Sequence, residues 1–142
     1  LHSRYVIYLE KYIKDLEIEV KCLGNICMTS VLPAALAYQM TLAQAMIAAK
    51  EALGSAAVVS SEMELLKKIL DLINQIYAVH KEILARCEAA ALITDEAKKA
   101  ETLCLKVKPK MDELRDSVDA LENLVDDERW PLPKFWEMLF IC

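Results

Sequence analysis

Histidine side chains are the usual carriers of metal-binding and acid–base chemistry, and this chain has only two of them. His2 and His80 are far apart in the sequence, so neither has a second imidazole at the spacing of metal ligands. The sequence also lacks a Glu-x-x-His pair, the ligand motif of di-iron helical bundles. His80 falls on an apolar helical stripe, a position typical of a packed boundary histidine. We therefore expect no metal ligands and no catalytic Ser-His-Asp or Cys-His arrangement.

The five cysteines add little chemistry, because none forms a Cys-x-x-Cys motif and their number is odd. They are Cys22, Cys27, Cys87, Cys104 and Cys142. No signal peptide precedes them, so we expect reduced, mostly buried thiols in a cytoplasmic protein. The alternative is a reactive thiol, for which Cys142 at the terminus is the least protected candidate.

Phosphate and nucleic-acid binding are disfavoured by composition and charge. Two glycines are too few for a P-loop or a dinucleotide-binding loop, and a net charge of −5 repels nucleic-acid backbones. Eight acidic and three basic residues lie between Lys110 and Arg129. This pattern favours a solvated helix face over an acidic docking or metal surface. Negative charge at the C-terminal end of a helix opposes the helix dipole, so residues 126–128 should pair with Arg129 or a partner's basic residue.

Apolar residues recur at helical spacing along the first third of the chain. A stripe between Ser3 and Cys27 predicts one helix, and the alanine- and methionine-rich segment Ala34–Leu53 predicts a second. Pro33 either kinks this helix or begins the second one. Gly54 stands where a left-handed C-terminal cap belongs. The residues of the first stripe are Val6, Leu9, Ile13, Leu16, Val20 and Leu23.

Two further stripes predict a long antiparallel helical hairpin over residues 61–129. Ser61 and Glu64 form a capping box for the third helix, and Thr94 caps the fourth. Pro109 leaves the fourth stripe in register, which indicates a kink and not an end. The third stripe comprises Met63, Leu66, Leu70, Ile73, Tyr77, His80, Leu84, Cys87 and Ala91, widened by Ile69, Ile76 and Ile83. The fourth comprises Ala97, Ala100, Cys104, Val107, Met111, Leu114, Val118, Leu121 and Val125.

A run of 28 residues, from Cys22 to Ala49, carries no charge. Its length would suffice for a membrane span, but it contains several amide and hydroxyl side chains and Pro33. We favour a helix surrounded by protein and expect no membrane partner.

The last thirteen residues, 130–142, hold every tryptophan and phenylalanine of the chain. A tail this apolar should dock, either on the bundle or on a partner absent from this chain. We predict as interface residues Trp130, Leu132, Phe135, Trp136, Leu139 and Phe140. The whole is predicted to be all-α, a single helical domain. Its parts are interrupted helices over 1–53, a linker over 54–60, the hairpin over 61–129 and a short extended tail over 130–142.

Several blocks of residues near the two termini resemble the C-terminal region of type III glutamine synthetases. Near the start they are Arg4-Tyr5-x-Ile7-x-Leu9-Glu10-x-Tyr12-Ile13-Lys14, Ile18-Glu19, Leu32-Pro33-Ala34 and Tyr38-Gln39. Near the end they are Pro109-x-Met111-x-x-Leu114-Arg115, Val118-Asp119-x-Leu121-Glu122, Trp130-Pro131-Leu132-Pro133 and Leu139-Phe140. Residues 54–105 match only in helical character.

The resemblance implies the C-terminal structural and assembly domain of a longer enzyme, which joins ammonia to glutamate with ATP and Mg. The family's motifs for catalysis, ATP and metal are absent, so we expect no catalytic, cofactor or metal residue in this chain. The expected partners are the catalytic core of the same enzyme and neighbouring subunits of a homo-oligomer. A start at Leu1, within helical pattern, agrees with a fragment. The alternative is an independent helical adaptor for other proteins.

Overall fold

The computed structural model describes residues 2–54 and 60–138, in which every regular element is helical. The helices are α1 (His2–Ile26), α2 (Leu32–Leu53), α3 (Ser60–Ala91), α4 (Glu96–Thr102), α5 (Lys108–Glu122) and the short α6 (Phe135–Met138). A π-helical turn, Cys27–Val31, joins α1 to α2, and a second, Leu103–Val107, joins α4 to α5. The predicted all-α class is confirmed, and the structure has three long rods: α1–α2, α3 and α4–α5.

The middle rod, α3, contacts both of the others. It runs antiparallel to α1, because His80 lies against Gly24 while Cys87 and Ala91 lie beside Glu17 and Val20. It also runs antiparallel to α4–α5, which forms the predicted hairpin. Arg86 donates a 2.7 Å hydrogen bond to the Lys106 carbonyl, and the Lys110 ammonium lies 3.0 Å from the Glu82 carboxylate.

Both π turns stand in the same place relative to a proline. Pro33 and Pro109 are each the second residue after the turn. A proline has no N–H and its ring crowds the carbonyl four residues earlier, so an α-helix cannot accommodate it without distortion. The wider turn shifts the bonding, with Leu32 N–H donating to the Cys27 carbonyl and Lys108 N–H to the Leu103 carbonyl. Each rod therefore continues past its proline, as expected for Pro109.

One core joins the three rods, and the predicted stripe of the first rod is confirmed at its centre by buried Ile13, Leu16 and Val20. On α3 the prediction is wrong by one residue. The core-facing line runs through Ile69, Ile76 and Ile83, which were predicted only to widen the stripe. The line predicted as central lies to one side, because α3 carries two adjacent apolar stripes. Its exposed members are Met63, Leu70, Tyr77 and Leu84.

The start of the third rod needs two further corrections. Asp95, and not Thr94, is the N-cap of α4, since its carboxylate accepts hydrogen bonds from the backbone N–H groups of Ala97 and Lys98. Leu103 is buried where Cys104 was predicted, because the π turn shifts the apolar face by one residue.

Gly54 takes the left-handed conformation predicted for it, with φ of 67°, and donates to the Lys50 carbonyl. The interior of the predicted linker, residues 55–59, lies outside the described residues.

Candidate assembly surface

The side chains that could carry chemistry do not come together within residues 2–54 and 60–138. No group of three or more His, Cys, Asp or Glu side chains there is arranged to hold a metal ion. His80 lies at the α1–α3 boundary, where a Cβ added at Gly24 would stand 2.6 Å from its Nε2. Burial lowers the pKa of His80. Helices α1 and α3 therefore approach too closely here for a side chain at position 24, and packing between them accounts for the position of His80.

The expectation that the thiols are mostly buried is wrong for the described residues, because Cys22 and Cys104 are exposed on the outer sides of their helices. Cys27 is buried in the core, and burial raises the pKa of its thiol. Cys87 is partly buried, and burial again raises its pKa. Cys104 is exposed, and its hydrogen bond with Tyr12 raises the pKa of the tyrosine. Two of these three thiols are held in the protonated, less nucleophilic form. Cys142 lies outside the described residues.

The acidic end of α5 has a cation that sequence reasoning missed. The ammonium of Lys134 donates a 3.0 Å hydrogen bond to the Val125 carbonyl and forms an ion pair with Asp127. Arg129, the predicted partner, lies 3.7 Å from Asp126. Lys134 is only 8% exposed. A positive charge there satisfies the carbonyl end of the rod, which is what the helix dipole favours.

The beginning of the tail docks on the bundle. Trp130 is 7% exposed within the chain's own core, and Leu132 packs against that core. The turn that directs Trp130 inward is closed by its backbone N–H, which donates to the Asp126 carbonyl. Contrary to the prediction, the tail is not extended throughout, because residues from Phe135 to Met138 form α6. The side chains of Phe135 and Trp136 are not among those described, and Leu139 and Phe140 lie outside the described residues. Their role at an interface stays a prediction.

A different surface, on α2 and α3, is apolar and uncovered. On α2 the buried residues Leu32, Ala35 and Met46 define the core side. A second stripe with i, i+4 and i+11 spacing points away from the core. It consists of Leu36, Met40 and Ile47.

On α3 the stripe beside the core has a spacing of seven residues and consists of Leu70, Tyr77 and Leu84. These six side chains, three on each helix, are between 37% and 62% exposed. We call them the α2–α3 face.

The two stripes turn to the same side of the bundle but follow one another along it. Leu84 lies beside Val20 and Lys21 of α1, so the α3 stripe runs away from the α2 stripe. On α2, Leu36 and Ile47 follow the buried Ala35 and Met46 by one residue, and on α3, Leu70 and Tyr77 follow the buried Ile69 and Ile76 in the same way. Antiparallel helices wind in opposite senses when they are viewed from one end, so the same offset turns both stripes to the same side. At the end of the face nearest α1, Leu84 lines a groove together with Met28 of the first π turn.

The uncharged run from Cys22 to Ala49 is predicted to form a helix surrounded by protein. Within this chain, other helices cover only one side of it. By length and composition, the helix Arg4–Leu53 is also apolar enough to cross a membrane. Only 33% of its most apolar window is buried inside the chain. Such a helix needs a cover beyond the core described above.

Comparison with known proteins finds that this chain is similar to glutamine synthetases. Residues 1–50 match the family model of the glutamine synthetase C-terminal domain. A glutamine synthetase of Bacteroides fragilis (strain YCH46) is 32% identical over 143 residues, which cover 99% of this chain and 20% of that protein. The type-3 glutamine synthetase of Dictyostelium discoideum is 31% identical over 144 residues, again 99% of this chain and 20% of that protein. The chain therefore spans about a fifth of the length of these relatives.

Proposed function

We propose, from the premise that this chain is a glutamine synthetase C-terminal domain, that it holds a larger enzyme together and does not itself carry the chemistry. The observation that carries the proposal is the α2–α3 face. A 142-residue chain that leaves six large apolar side chains uncovered on two packed helices has a surface suited to a protein partner. The covering groups belong to the rest of the enzyme, which comprises its catalytic core and the neighbouring subunits of a homo-oligomer.

The activity that we propose for the whole enzyme is the ATP-dependent joining of ammonia to glutamate, with Mg²⁺ as the metal that accompanies ATP. In residues 2–54 and 60–138 the acidic side chains are spread along helix surfaces and form no cluster of three ligands. Such a distribution does not fit a Mg²⁺–nucleotide site, which is built from convergent oxygen ligands. We therefore assign no catalytic, ATP or metal residue to this chain and place those sites in the remaining four fifths of the enzyme.

We place the enzyme in the cytoplasm and away from membranes. Cys22 and Cys104 are exposed free thiols, and Cys27 and Cys87 are free as well. Thiols in this state are typical of a reducing compartment.

The test uses the full-length enzyme that contains this domain. Met40→Glu together with Ile47→Glu places two charges on the α2–α3 face without touching the core of the domain. We expect the variant to assemble poorly, as seen by sedimentation velocity, and to lose glutamine formation in proportion. Leu105→Glu is the matched control, since Leu105 is an equally exposed leucine on the second π turn. A doubly substituted enzyme that stays assembled and fully active contradicts the proposal.

An independent adaptor would use the same apolar face, but it requires a protein of about this length. The two relatives weigh against it, because each continues well beyond the region that matches this chain. The length of the open reading frame that encodes residues 1–142 separates the two possibilities. An in-frame synthetase region supports the enzyme, and a frame confined to these residues supports the adaptor.

A further inference from the structure

The first two turns of α1 carry aromatic side chains beyond the part of the helix that the bundle covers. Tyr5 and Tyr8 precede Tyr12 by seven and four residues, so the three rings lie on one side of α1. Tyr12 packs against the core, whereas Tyr5 is 55% exposed and Tyr8 is 71% exposed. We call Tyr5 and Tyr8 the tyrosine pair.

Helix α4 covers this part of α1 only from Glu10 onward. Its residues Glu96 and Lys99 line a cleft together with Glu10. The ammonium of Lys99 lies 2.7 Å from the Glu17 carboxylate. The exposed fractions of the tyrosine pair show that no described helix reaches over the two rings. A stripe that is packed at Tyr12 therefore continues, uncovered, toward the start of α1.

Two exposed tyrosine rings on one side of a helix are suited to contact with protein. The ring is largely apolar and the hydroxyl can form a hydrogen bond, so a partly hydrated protein surface satisfies both parts of the side chain. Isolated helical turns are also marginal in water, so the first two turns of α1 gain stability from a surface to pack against.

The small size of the tyrosine pair limits the kind of partner that it can hold. Two fully buried tyrosines remove at most about 500 Å² from water. Stable contacts between separate proteins bury roughly 1,000 Å² or more. A segment of the same chain needs much less area, because a short tether holds it at an effective concentration in the millimolar range.

The polypeptide that precedes α1 is the segment tethered closest to the tyrosine pair. The matching family model describes a C-terminal domain, and this chain spans 20% of each relative. Under the proposed function, the rest of the enzyme therefore joins this domain through the first residue of α1. Tyr8 lies six residues after His2, which is about 9 Å along a helix. Any segment that leads into α1 ends within that distance of both rings.

We infer that the tyrosine pair is the docking surface for the polypeptide segment that immediately precedes α1 in the same subunit. The inference rests on the proposed function in one respect, namely that this chain is the C-terminal part of a longer enzyme. It assigns the occupant of this surface to the same chain and not to a neighbouring subunit. The contact fixes the direction in which the rest of the enzyme enters the helical domain.

The experiment uses the full-length enzyme with a photoreactive benzophenone amino acid at position 8. This residue is a para-substituted phenylalanine, as tyrosine is, and position 8 is exposed within this domain, so the core of the domain is unaffected. Irradiation should join position 8 to a residue that precedes residue 1. A denaturing gel should show the mass of a single subunit, and mass spectrometry of the peptides identifies the residue that has reacted.

The same amino acid at position 18 is the control. Ile18 is 58% exposed on α1, but it lies ten residues beyond Tyr8. We expect no link from position 18 to the preceding segment. A link from position 8 that doubles the subunit mass assigns the contact to a neighbouring subunit and overturns the inference. So does a link confined to residues 1–142, the absence of any link, or the same link from position 18.

A second measurement uses Tyr5→Ala together with Tyr8→Ala in the full-length enzyme. Loss of both rings should raise the rate of proteolytic cleavage just before α1 by about tenfold, since cleavage follows the population of the undocked form. Ile18→Ala should leave this rate unchanged. An equal rate in the doubly substituted and unsubstituted enzymes contradicts docking on the tyrosine pair.

The outcome is independent of the enzyme assay. An enzyme that forms glutamine but gives no link from position 8 overturns the docking contact only. A protein that gives the expected link but forms no glutamine overturns the proposed enzyme function only.

Discussion

The first and third rods both contain a π turn, but they carry different side chains on the sides that face away from the core. Both pass through a five-residue π turn and carry a proline two residues later. On α5 the side away from the core carries charged residues such as Asp112 and Asp116, and it is suited to water. On α2 the corresponding side carries Leu36, Met40 and Ile47. The third rod thus turns a largely polar side to water, whereas the first rod exposes large apolar side chains on α2, the surface that we propose a partner covers.

The ends of the two rods also differ in whether side chains of this chain satisfy their backbone groups. The third rod begins at the Asp95 cap and ends beneath the ammonium of Lys134, so both of its ends are satisfied by side chains of this chain. The first rod ends with a backbone bond from Gly54. Local stability should therefore be concentrated in the hairpin, and the predictions that follow test this contrast from the largest expected effect to the smallest.

The largest effect should come from Leu114→Ala in the covered side of α5. Leu114 is 1% exposed, and removing a fully buried leucine side chain costs about 2–5 kcal/mol of unfolding free energy. Met40→Ala on the open side of α2 should change the unfolding free energy of the monomer by less than about 0.5 kcal/mol. Urea unfolding at low protein concentration measures both. Equal losses in the two variants would remove the contrast between the rods.

Lys134→Met should have the next largest effect. The substitution keeps most of the apolar stem but removes the hydrogen bond to the Val125 carbonyl and the partner of Asp127. A charged hydrogen bond of this kind stabilises by about 1.5–3 kcal/mol. Lys108→Met, an exposed lysine on α5, is the control and should be close to neutral. The midpoints of thermal unfolding would rank the stabilities of the two variants. An unchanged midpoint for Lys134→Met would mean that Lys134 does not stabilise the C-terminal end of the third rod.

Asp95→Ala should cost about 1 kcal/mol, the usual value for the loss of an N-cap. Its carboxylate accepts two backbone hydrogen bonds, at 3.0 and 3.2 Å. Thr94→Ala should have no comparable effect, although the sequence pattern predicts Thr94 as the cap. Chemical denaturation of the two variants side by side distinguishes the two residues, and a greater loss for Thr94→Ala would restore the sequence prediction.

The smallest effect should be a pH dependence from His80, which lies between α1 and α3. Burial lowers the folded-state pKa of His80, so the unfolded chain binds the proton more readily. Stability from this group is therefore fully present above the unfolded pKa of about 6.5 and is lost as pH falls below it. Unfolding free energies measured from pH 7.5 to 5 should fall less steeply in His80→Gln. The same slope in both proteins would assign the pH dependence to other groups.

The sequence was sufficient to predict the helices but not always which of their sides is buried. The stripe of α1 was unambiguous because charged residues occupy its other faces. On α3 two apolar stripes lie side by side, so the pattern could not show that Ile76 is buried and Tyr77 exposed. Cys104 was misplaced because a π turn shifts the face by one residue, and Lys134 was missed because a lysine is expected at the surface.

The candidate surface was predicted only in part. The uncharged run indicated a helix that requires cover, which follows from composition alone. How much of that cover the chain supplies depends on the packing of α2 on α3, and this is a tertiary property that no local pattern contains. The sequence pattern instead favours the aromatic tail as the interface, but the first residue of that tail, Trp130, belongs to the chain's own core.

The π turn at Cys27–Val31 has a consequence for insertions and deletions. Each residue of an α-helix turns the chain by about 100°, so one residue more or fewer before α2 rotates every side chain that follows by that angle. Loss of a single codon within this turn would swing Leu36 and Met40 toward α3 and bring Ala35 and Met46 out to solvent. The number of residues in this five-residue turn therefore determines which side of α2, a helix of 22 residues, faces the outside of the protein.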